Sequence, residues 1–143
     1  MRILARLHQL PPRVAAGAFI LNSGLTKADA DLQTAKTVHG MASGSYPFLG
    51  EKDPEAFTRL VSRAETAIGL ALLLPVVPSL VAGAALTAFA GGLLGLYLST
   101  PGLREEGSLR PSQQGTPIAK DVWLLGIGLG LVVEELADLR PRR

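Results

Sequence analysis

The chain has 143 residues, of which 48% are hydrophobic and 18% are charged, so it is more apolar and less charged than an ordinary soluble domain. Its net charge of +2 comes from dispersed basic residues and only 5% of the residues are aromatic, which excludes the basic, aromatic-rich surface of a nucleic-acid-binding protein. The absence of cysteine and the wide separation of the two histidines exclude disulfides, thiolate nucleophiles, iron–sulfur clusters and a metal site.

The N-terminal segment is predicted to form a short helix at the membrane surface, followed by a first membrane span. In residues 1–10, four aliphatic side chains recur at helical spacing among two arginines, which is typical of a helix that lies in the interface. Pro11 and Pro12 suit the first turn of the next helix. An apolar stretch follows them, and we predict a span over residues 11–27.

This first span is less apolar than the others, because Asn22 and Ser23 interrupt it. The alternative is a secretory signal, with a basic start, an apolar middle and a cleavage site of the A-x-A kind at residues 28–30. Lys27, directly before that site, and the prolines in the basic region argue against a signal. A polar-interrupted span packed in a bundle is therefore preferred.

Residues 28–56 are predicted to be an extramembrane loop, because they are polar and contain three glycines. A short helix is expected within the loop, over residues 31–38. Near its end, Asp53 is a capping residue that is followed by Pro54 and then by an acid. This combination indicates the start of the helix that carries the second span.

The stretch over residues 64–100 contains thirty-seven residues and a single charged side chain, Glu65. At ~1.5 Å per helical residue and with a hydrocarbon core of ~30 Å, this stretch is too long for one span and fits two. The proline-flanked segment 75–78 marks the turn between them, since proline ends a helix. We predict spans over residues 57–75 and 79–100.

A fourth span is predicted over residues 117–136, opened by a Thr-Pro pair. The fold class is then all-α: a single integral membrane domain, residues 1–143, that forms a four-helix bundle with antiparallel, up-down topology. Small residues four positions apart let helix backbones approach closely in lipid. The glycines predicted to pack helices in this way are Gly91 and Gly95, and Gly126 and Gly130.

Because the four predicted spans alternate in direction, the ends of the first and third spans lie on the same side of the membrane as the starts of the second and fourth spans. Glu65 then lies below the headgroups, where an ionised carboxylate is costly unless paired or hydrated, and Lys27 and Lys120 are its candidate partners. The cluster is either a salt bridge that fixes the register of the bundle or a crevice for a quinone headgroup, a lipid headgroup or a small anion. The residues predicted to form this polar core are Asn22, Lys27, Arg63, Glu65, Lys120 and Asp121.

The distribution of basic residues predicts the orientation. Both terminal segments are rich in arginine, whereas the long first loop has five acids against two lysines. By the positive-inside rule, both termini are expected to be cytoplasmic and the charge cluster to face outward.

The residues that carry a family resemblance are Arg13, Gly17, Gly24 and Lys27 along the first span, Glu65 early in the second, Leu72-Leu73-Leu74-Pro75 at the end of that helix, and Lys120-Asp121 before the fourth. This pattern resembles the DoxX family of small four-helix membrane proteins. The resemblance implies a multi-pass protein of the bacterial inner membrane. It also implies a link to thiosulfate or thiol oxidation coupled to quinone, or to membrane complexes that resist oxidative stress, because some relatives have such roles.

Three functional hypotheses follow. The first is a non-enzymatic accessory or structural subunit of a respiratory or redox-linked membrane complex, whose partners are the bilayer and other membrane-protein subunits or further copies of the chain. The alternative is a component of a quinone-linked oxidoreductase, in which Glu65, the candidate catalytic residue, relays a proton and Lys120 or Lys27 steers a quinone oxygen. A transporter for a small anion or a lipid ranks last, because four short helices leave little room for a pathway.

Overall fold

The structure is a computed structural model that describes residues 3–140, and all regular secondary structure in that range is helical. The predicted all-α fold class is therefore confirmed for this part of the chain. Single 3-10 turns lie at Leu7–Gln9 and Pro47–Leu49. The α-helices are α1 (Leu10–Ala28), α2 (Leu32–Ser45), α3 (Pro54–Leu73), α4 (Ser79–Ser99), α5 (Thr116–Ala119) and α6 (Val122–Asp138).

The four longest helices, α1, α3, α4 and α6, each run antiparallel to the helices beside them. α1 packs along α3 and α4 packs along α6, while the short turn at residues 74–78 joins the two pairs and α2 lies against α3 and α4. The side chains of the common core are aliphatic, because apolar residues recur at helical spacing on the inward faces. They include Ile20 of α1, Leu72 of α3, Leu86 of α4 and Leu131 of α6.

Two helical stretches are long and apolar enough to cross a membrane: Ser79–Ser99, with a mean hydropathy of 1.8, and Thr116–Asp138, with 1.5. They correspond to the third and fourth predicted spans. The first and second predicted spans, residues 11–27 and 57–75, are less apolar, because polar residues dilute α1 and the first half of α3 carries several charges. Helix length and composition therefore support two of the four predicted spans.

Many apolar side chains of these two stretches point away from the protein interior. In the most apolar 18-residue segment of Ser79–Ser99, only 33% is buried, and in the corresponding segment of Thr116–Asp138 only 22% is buried. On α6, the side chain of Trp123 is 73% exposed and that of Val133 is 62% exposed. A core helix of a soluble domain buries its apolar residues, so this surface favours contact with an apolar phase or a partner.

The N-terminal segment differs from the predicted surface helix over residues 1–10. Residues 3–6 are not helical, and helical geometry begins only with the 3-10 turn at Leu7–Gln9. Residues 1 and 2 lie outside the described range. The aliphatic spacing that suggested a helix is too short a pattern to outweigh the contact that this segment makes with the far end of α3, where the Ala5 amide donates to the Pro75 carbonyl at 2.8 Å.

The helix within the first loop is longer than the predicted one over residues 31–38, because α2 continues through Gly40 and Gly44. Both glycines are exposed, and glycine has a low intrinsic helix propensity. The opposite face of α2 buries Ala35, His39 and Ala42 against its neighbours. This packing outweighs the local preference of the glycines.

The start of α3 at Asp53 is confirmed in detail, since its carboxylate accepts a hydrogen bond from the Ala56 amide at 2.9 Å. Asp31 caps α2 in the same way, accepting from the Thr34 amide at 2.7 Å. That bond lowers the pKa of the Asp31 carboxyl group. Each cap satisfies an amide that a helix start leaves without a partner, so both helices begin at an acid.

The closest approaches between helices occur at glycines that the sequence did not single out for packing. Gly83 of α4 and Gly128 of α6 face each other, and a Cβ on either would lie 3.0 Å from the carbonyl oxygen of the other. A Cβ at Gly24 of α1 would lie 2.8 Å from the backbone nitrogen of Thr66 on α3. These glycines let the backbones of each helix pair come into contact.

The packing role predicted for the other four glycines is wrong within this chain. Gly91, Gly126 and Gly130 face open space as far as residues 3–140 are concerned, and Gly95 lies against the hydroxyl group of Tyr46 rather than against a helix backbone. Spacing alone identifies a pair of small residues but not the face that a helix turns inward. α4 and α6 turn a different face toward each other.

We expect opposite effects from alanine at two glycines of the same helix. Gly128→Ala should lower the free energy of unfolding by about 1–3 kcal/mol, because the added methyl group overlaps α4. Gly126→Ala should raise it by about 0.5–1 kcal/mol, because alanine loses less conformational entropy in a helix and has room here. Thermal unfolding in detergent, followed by circular dichroism, measures both, and equal effects would contradict the assigned helix faces.

Candidate functional site

A lysine and a glutamate form a buried ion pair where the end of α1 meets α3. The Lys27 ammonium donates to the two carboxylate oxygens of Glu65 at 3.1 and 3.0 Å and to the Ser23 hydroxyl at 2.7 Å. The side chain of Glu65 is 5% exposed and that of Lys27 is 24% exposed. The structure therefore brings the acid into contact with one of its two candidate partners.

The close packing of α1 against α3 holds this pair in place. The Ser62 hydroxyl of α3 donates to the Gly24 carbonyl of α1 at 2.7 Å, where the two backbones meet. Ser23 and Lys27 are four residues apart and so lie on the same face of α1, one turn from each other. Because a buried carboxylate is costly without a partner, this face has to present its ammonium group to Glu65.

The ion pair lies in the wall of an open cavity of about 510 Å³. α1, α2, α3 and α4 contribute to the wall, together with the segment around α5 and the start of α6. Most of the wall is apolar, and a cavity of this size with few polar groups is typical of a small-molecule site. The charged side chains that line it are Lys27, Glu65, Lys120 and Asp121.

Lys120 and Asp121 reach the cavity from the break between α5 and α6. Asp121 is only 8% exposed, and the charges of Lys27 and Glu65 both act on its carboxylate. The Lys120 ammonium lies 4.9 Å from the centroid of the Phe19 ring, in a cation–π contact. Lys120 thus lines the same cavity as Glu65, but the ion pair predicted between them is absent from the described residues.

Asn22 and Arg63 are not part of the cavity lining, although the sequence placed them in the polar core. Both side chains are exposed. An α-helix turns about 100° per residue, so Asn22 points about 100° away from Ser23 and Arg63 about 200° away from Glu65. Their nearness along the chain suggested a shared site, and helical phase separates them from it.

The charges in the cavity balance, since two lysines face two acids. All three protons of the Lys27 ammonium are engaged by Ser23 and Glu65. The Asp121 side chain makes no capping bond to α6, and the Lys120 ammonium contacts an aromatic face rather than an acceptor. Of the four charged groups in the cavity, Lys120 and Asp121 are therefore available to a ligand, as a donor and an acceptor.

A second polar centre, which the sequence did not indicate as a site, lies at the other end of α1. Its central residue is Arg13, which is 0% exposed and lies fourteen positions before Lys27, or about 21 Å along the helix axis. The Arg13 guanidinium donates five hydrogen bonds: to the carbonyl groups of Leu72, Val77, Ala71 and Leu74 at 2.9, 3.0, 2.8 and 2.8 Å, and to the Ser79 hydroxyl at 2.7 Å.

A signal for this centre exists in the sequence. α3 ends at Leu73 and is followed by Leu74 and Pro75, without the glycine that usually closes a helix. Its last carbonyl groups therefore need another donor. An antiparallel pairing of α1 with α3 puts Arg13 beside them, and its five N–H groups match that need.

Hydrogen bonds continue from Arg13 to the acids of α6. The Ser79 hydroxyl donates to the Gln9 side-chain oxygen at 2.8 Å. The Gln9 amide nitrogen in turn donates to Glu134 and to Glu135, at 3.0 Å in each case. Because the side-chain donors of Arg13, Ser79 and Gln9 all find acceptors here, we assign this centre to holding α1, α4 and α6 together.

No three histidine, aspartate or glutamate side chains gather in a metal-binding arrangement within residues 3–140. Comparison of the chain with protein-family models, with curated proteins and with solved structures finds no match. The DoxX resemblance therefore stays a prediction, and a functional assignment has to rest on the geometry of the cavity.

Proposed function

We propose that this protein is a multi-pass membrane protein that binds the headgroup of a quinone in the cavity beside Lys27 and Glu65, as an accessory subunit of a redox-linked membrane complex. The observation that carries the proposal is the cavity itself. It combines apolar walls with a charged donor, Lys120, and a charged acceptor, Asp121, that are available to a ligand. A quinone offers carbonyl acceptors, and its reduced form offers hydroxyl donors, on an apolar ring.

The exposed apolar surface supports a membrane location for all four long helices. α1 and α3 are less hydrophobic than α4 and α6, but they too carry large apolar side chains on their outer faces, such as Phe19, Leu25 and Leu60. Arg13 and Glu65 are turned inward and Lys27 lies near the end of α1, whereas Arg59 and Arg63 are exposed in the first half of α3. In a bundle, two polar-interrupted helices can cross lipid when more apolar neighbours accompany them.

The proposed orientation has both termini in the cytoplasm. The N- and C-terminal segments lie on the same side of the bundle, since Arg6 forms ion pairs with Glu134 and Asp138 near the end of α6. Arg6, Arg13 and Arg140 then share one side, as the positive-inside rule requires. The cavity lies toward the opposite side, where α1 ends and α6 begins.

Charge balance favours a neutral ligand over an anion. A site built for a small anion or a lipid phosphate needs an excess of positive charge, and here each lysine is matched by an acid. Transport of an anion is therefore the weaker candidate. A neutral headgroup gains hydrogen bonds from Lys120 and Asp121 without having to leave a full hydration shell behind.

Each side chain has a separate part in this proposal. Lys120 donates to a quinone carbonyl, and Asp121 accepts from a quinol hydroxyl. Glu65, held by Lys27, supplies a second carboxylate that can carry a proton between the ring and the cavity opening. The chain has no cysteine, so we assign it binding and proton handling, and we assign electron transfer to a partner subunit.

Binding of a decyl-substituted benzoquinone to the detergent-purified protein tests the proposal. Lys120→Met should weaken binding of this quinone, and Asp121→Asn should weaken binding of the corresponding quinol, each about tenfold to hundredfold, because a hydrogen bond to a charged group contributes about 1.5–3 kcal/mol. Isothermal titration calorimetry gives the affinity. Arg63→Met is the matched control, since it removes an exposed charge two residues from Glu65.

The control should bind as the unaltered protein does, and all three variants should keep the same thermal unfolding midpoint within a few degrees. Binding that is unaffected by either cavity substitution, or absent in the unaltered protein, would sink the proposal. The accessory role is tested separately, by asking whether another protein co-purifies with this one in mild detergent. A monomer that binds quinone but co-purifies with no other protein would support quinone binding and contradict the accessory role.

A further inference from the structure

A groove of about 260 Å³ runs along the seam between α1 and α6. α1 and α6 contact each other less extensively than α1 contacts α3 or α4 contacts α6, and Ala15 and Ala16 of α1 line the groove between them. The groove is apolar apart from its end near the start of α6. Its lining residues outside that end include Ala15, Ala16, Trp123 and Ile127.

The groove and the cavity adjoin each other. Phe19, Lys120, Asp121 and Leu124 line both spaces, so the cavity and the groove meet at these four side chains. The available donor and acceptor of the cavity therefore stand at the junction with the groove. A ligand whose polar end lies at Lys120 and Asp121 has its apolar remainder next to the groove.

A third recess, of about 560 Å³, lies on the far side of Lys120, between the end of α4 and the loop that follows it. It shares only Lys120 with the cavity lining. A tail placed there would have to pass around the polar end of the cavity. A tail in the groove between α1 and α6 does not have to pass this polar end, because the groove also meets the cavity at an aromatic and an aliphatic side chain.

We propose that the α1–α6 groove holds the hydrocarbon tail of the quinone, and that the tail leaves the protein sideways into lipid between Phe19 and Trp123. This inference rests on the proposed function and adds the class of ligand: a long-tailed, membrane-resident quinone rather than a soluble one. The exposed Trp123 ring, at the outer rim of the groove, suits a position at the edge of the lipid.

The expected energetics follow from the surroundings of the tail. Lipid chains are as apolar as the groove, so the groove adds little hydrophobic drive. The groove instead supplies the space that the tail occupies while the headgroup is bound in the cavity. Filling the groove should therefore exclude long-tailed quinones by steric overlap and leave the tail-less ring unaffected.

The test compares two ligands on three proteins in detergent: the dimethoxy-methyl-benzoquinone ring without a tail, and the same ring with a decyl tail. Ala15→Phe places a bulky side chain in the groove, since Ala15 lines the groove but not the cavity. Ala18→Phe makes the identical change three residues later, at an exposed position of α1 that lines neither space.

We expect Ala15→Phe to weaken binding of the decyl ligand at least tenfold while the tail-less ring binds within twofold of its affinity for the unaltered protein. Ala18→Phe should change neither affinity. If both ligands bind and the two variants behave alike, the groove proposal is overturned and quinone binding survives. If neither ligand binds the unaltered protein, both proposals fall.

Discussion

Replacing Arg13 by leucine should lower the free energy of unfolding by about 3–5 kcal/mol, the largest effect that we expect from any single substitution in this chain. The guanidinium group is fully buried and donates five hydrogen bonds. Leucine fills part of the volume but removes the donor from the carbonyl groups of Ala71, Leu72 and Val77; the Leu74 carbonyl keeps the bond from the Val77 amide at 3.1 Å. Each buried polar group left without a partner costs about 1–3 kcal/mol, although relaxation and water recover part of the sum.

The cost should be concentrated at the turn between α3 and α4. Four of the five acceptors are carbonyl oxygens at or just after the C-terminal end of α3, and the fifth is the hydroxyl of Ser79, the first residue of α4. Arg13 therefore does the work of a C-terminal cap from a neighbouring helix. Without it, hydrogen exchange should become faster at the last turn of α3 before it does so in the helix centres.

Two further variants separate geometry from charge. Arg13→Lys keeps the positive charge but has a single nitrogen, which cannot reach acceptors on both sides of the turn, so we expect an intermediate loss. Arg59→Leu is the control, because it removes an exposed arginine from α3. Unfolding by detergent or heat, followed by circular dichroism, measures all three. An Arg13→Leu protein as stable as the Arg59→Leu control would contradict the capping role.

The ion pair of Lys27 and Glu65 should show strong coupling in a double-mutant cycle. Glu65→Gln alone should destabilise the protein by about 3 kcal/mol, because it leaves Lys27, whose side chain is only 24% exposed, without the carboxylate that it contacts. Lys27→Met alone should cost a similar amount. The double variant should recover about 2 kcal/mol of the summed loss, since neither charge is then left alone.

The same cycle distinguishes a structural salt bridge from a binding site. If the pair serves only to align α1 with α3, the double variant should keep the affinity of the protein for the decyl quinone. If Glu65 also serves the ligand, the folded double variant should lose quinone binding, or the pH dependence of that binding. Additive stabilities, with no coupling, would mean that the 3.0 Å contact contributes nothing.

Several parts of the fold and site were accessible from the sequence because they depend on local chemistry. The Asp-Pro start of α3, the proline-flanked turn before α4 and the all-helical class follow from capping and backbone geometry. The contact between Glu65 and Lys27 was accessible for a different reason. A single carboxylate in an apolar stretch is costly unless a cation pairs with it. The antiparallel alternation of the helices places few cations at the same depth as Glu65.

The remaining parts depend on helical phase and on contacts between distant segments. Spacing suggested Gly91 and Gly95 as packing residues, but only the rotation of α4 about its axis decides which glycines meet α6. In the same way, Asn22 and Arg63 lie beside the site in sequence and outside it in space. A one-residue change of position on a helix turns a side chain by about 100°, which composition and spacing do not reveal.

The sequence by itself determined that the chain is helical and apolar and that it contains no cysteine. It also determined that the single acid among apolar residues would have to pair with a basic side chain. Only the tertiary structure decided that Lys120 stacks on Phe19 instead of joining that pair, that Asp121 is buried without a capping bond, and that Arg13 closes the end of α3. The physical reason is that a local pattern sets which groups must be satisfied, whereas the packing of distant helices selects the partners that satisfy them.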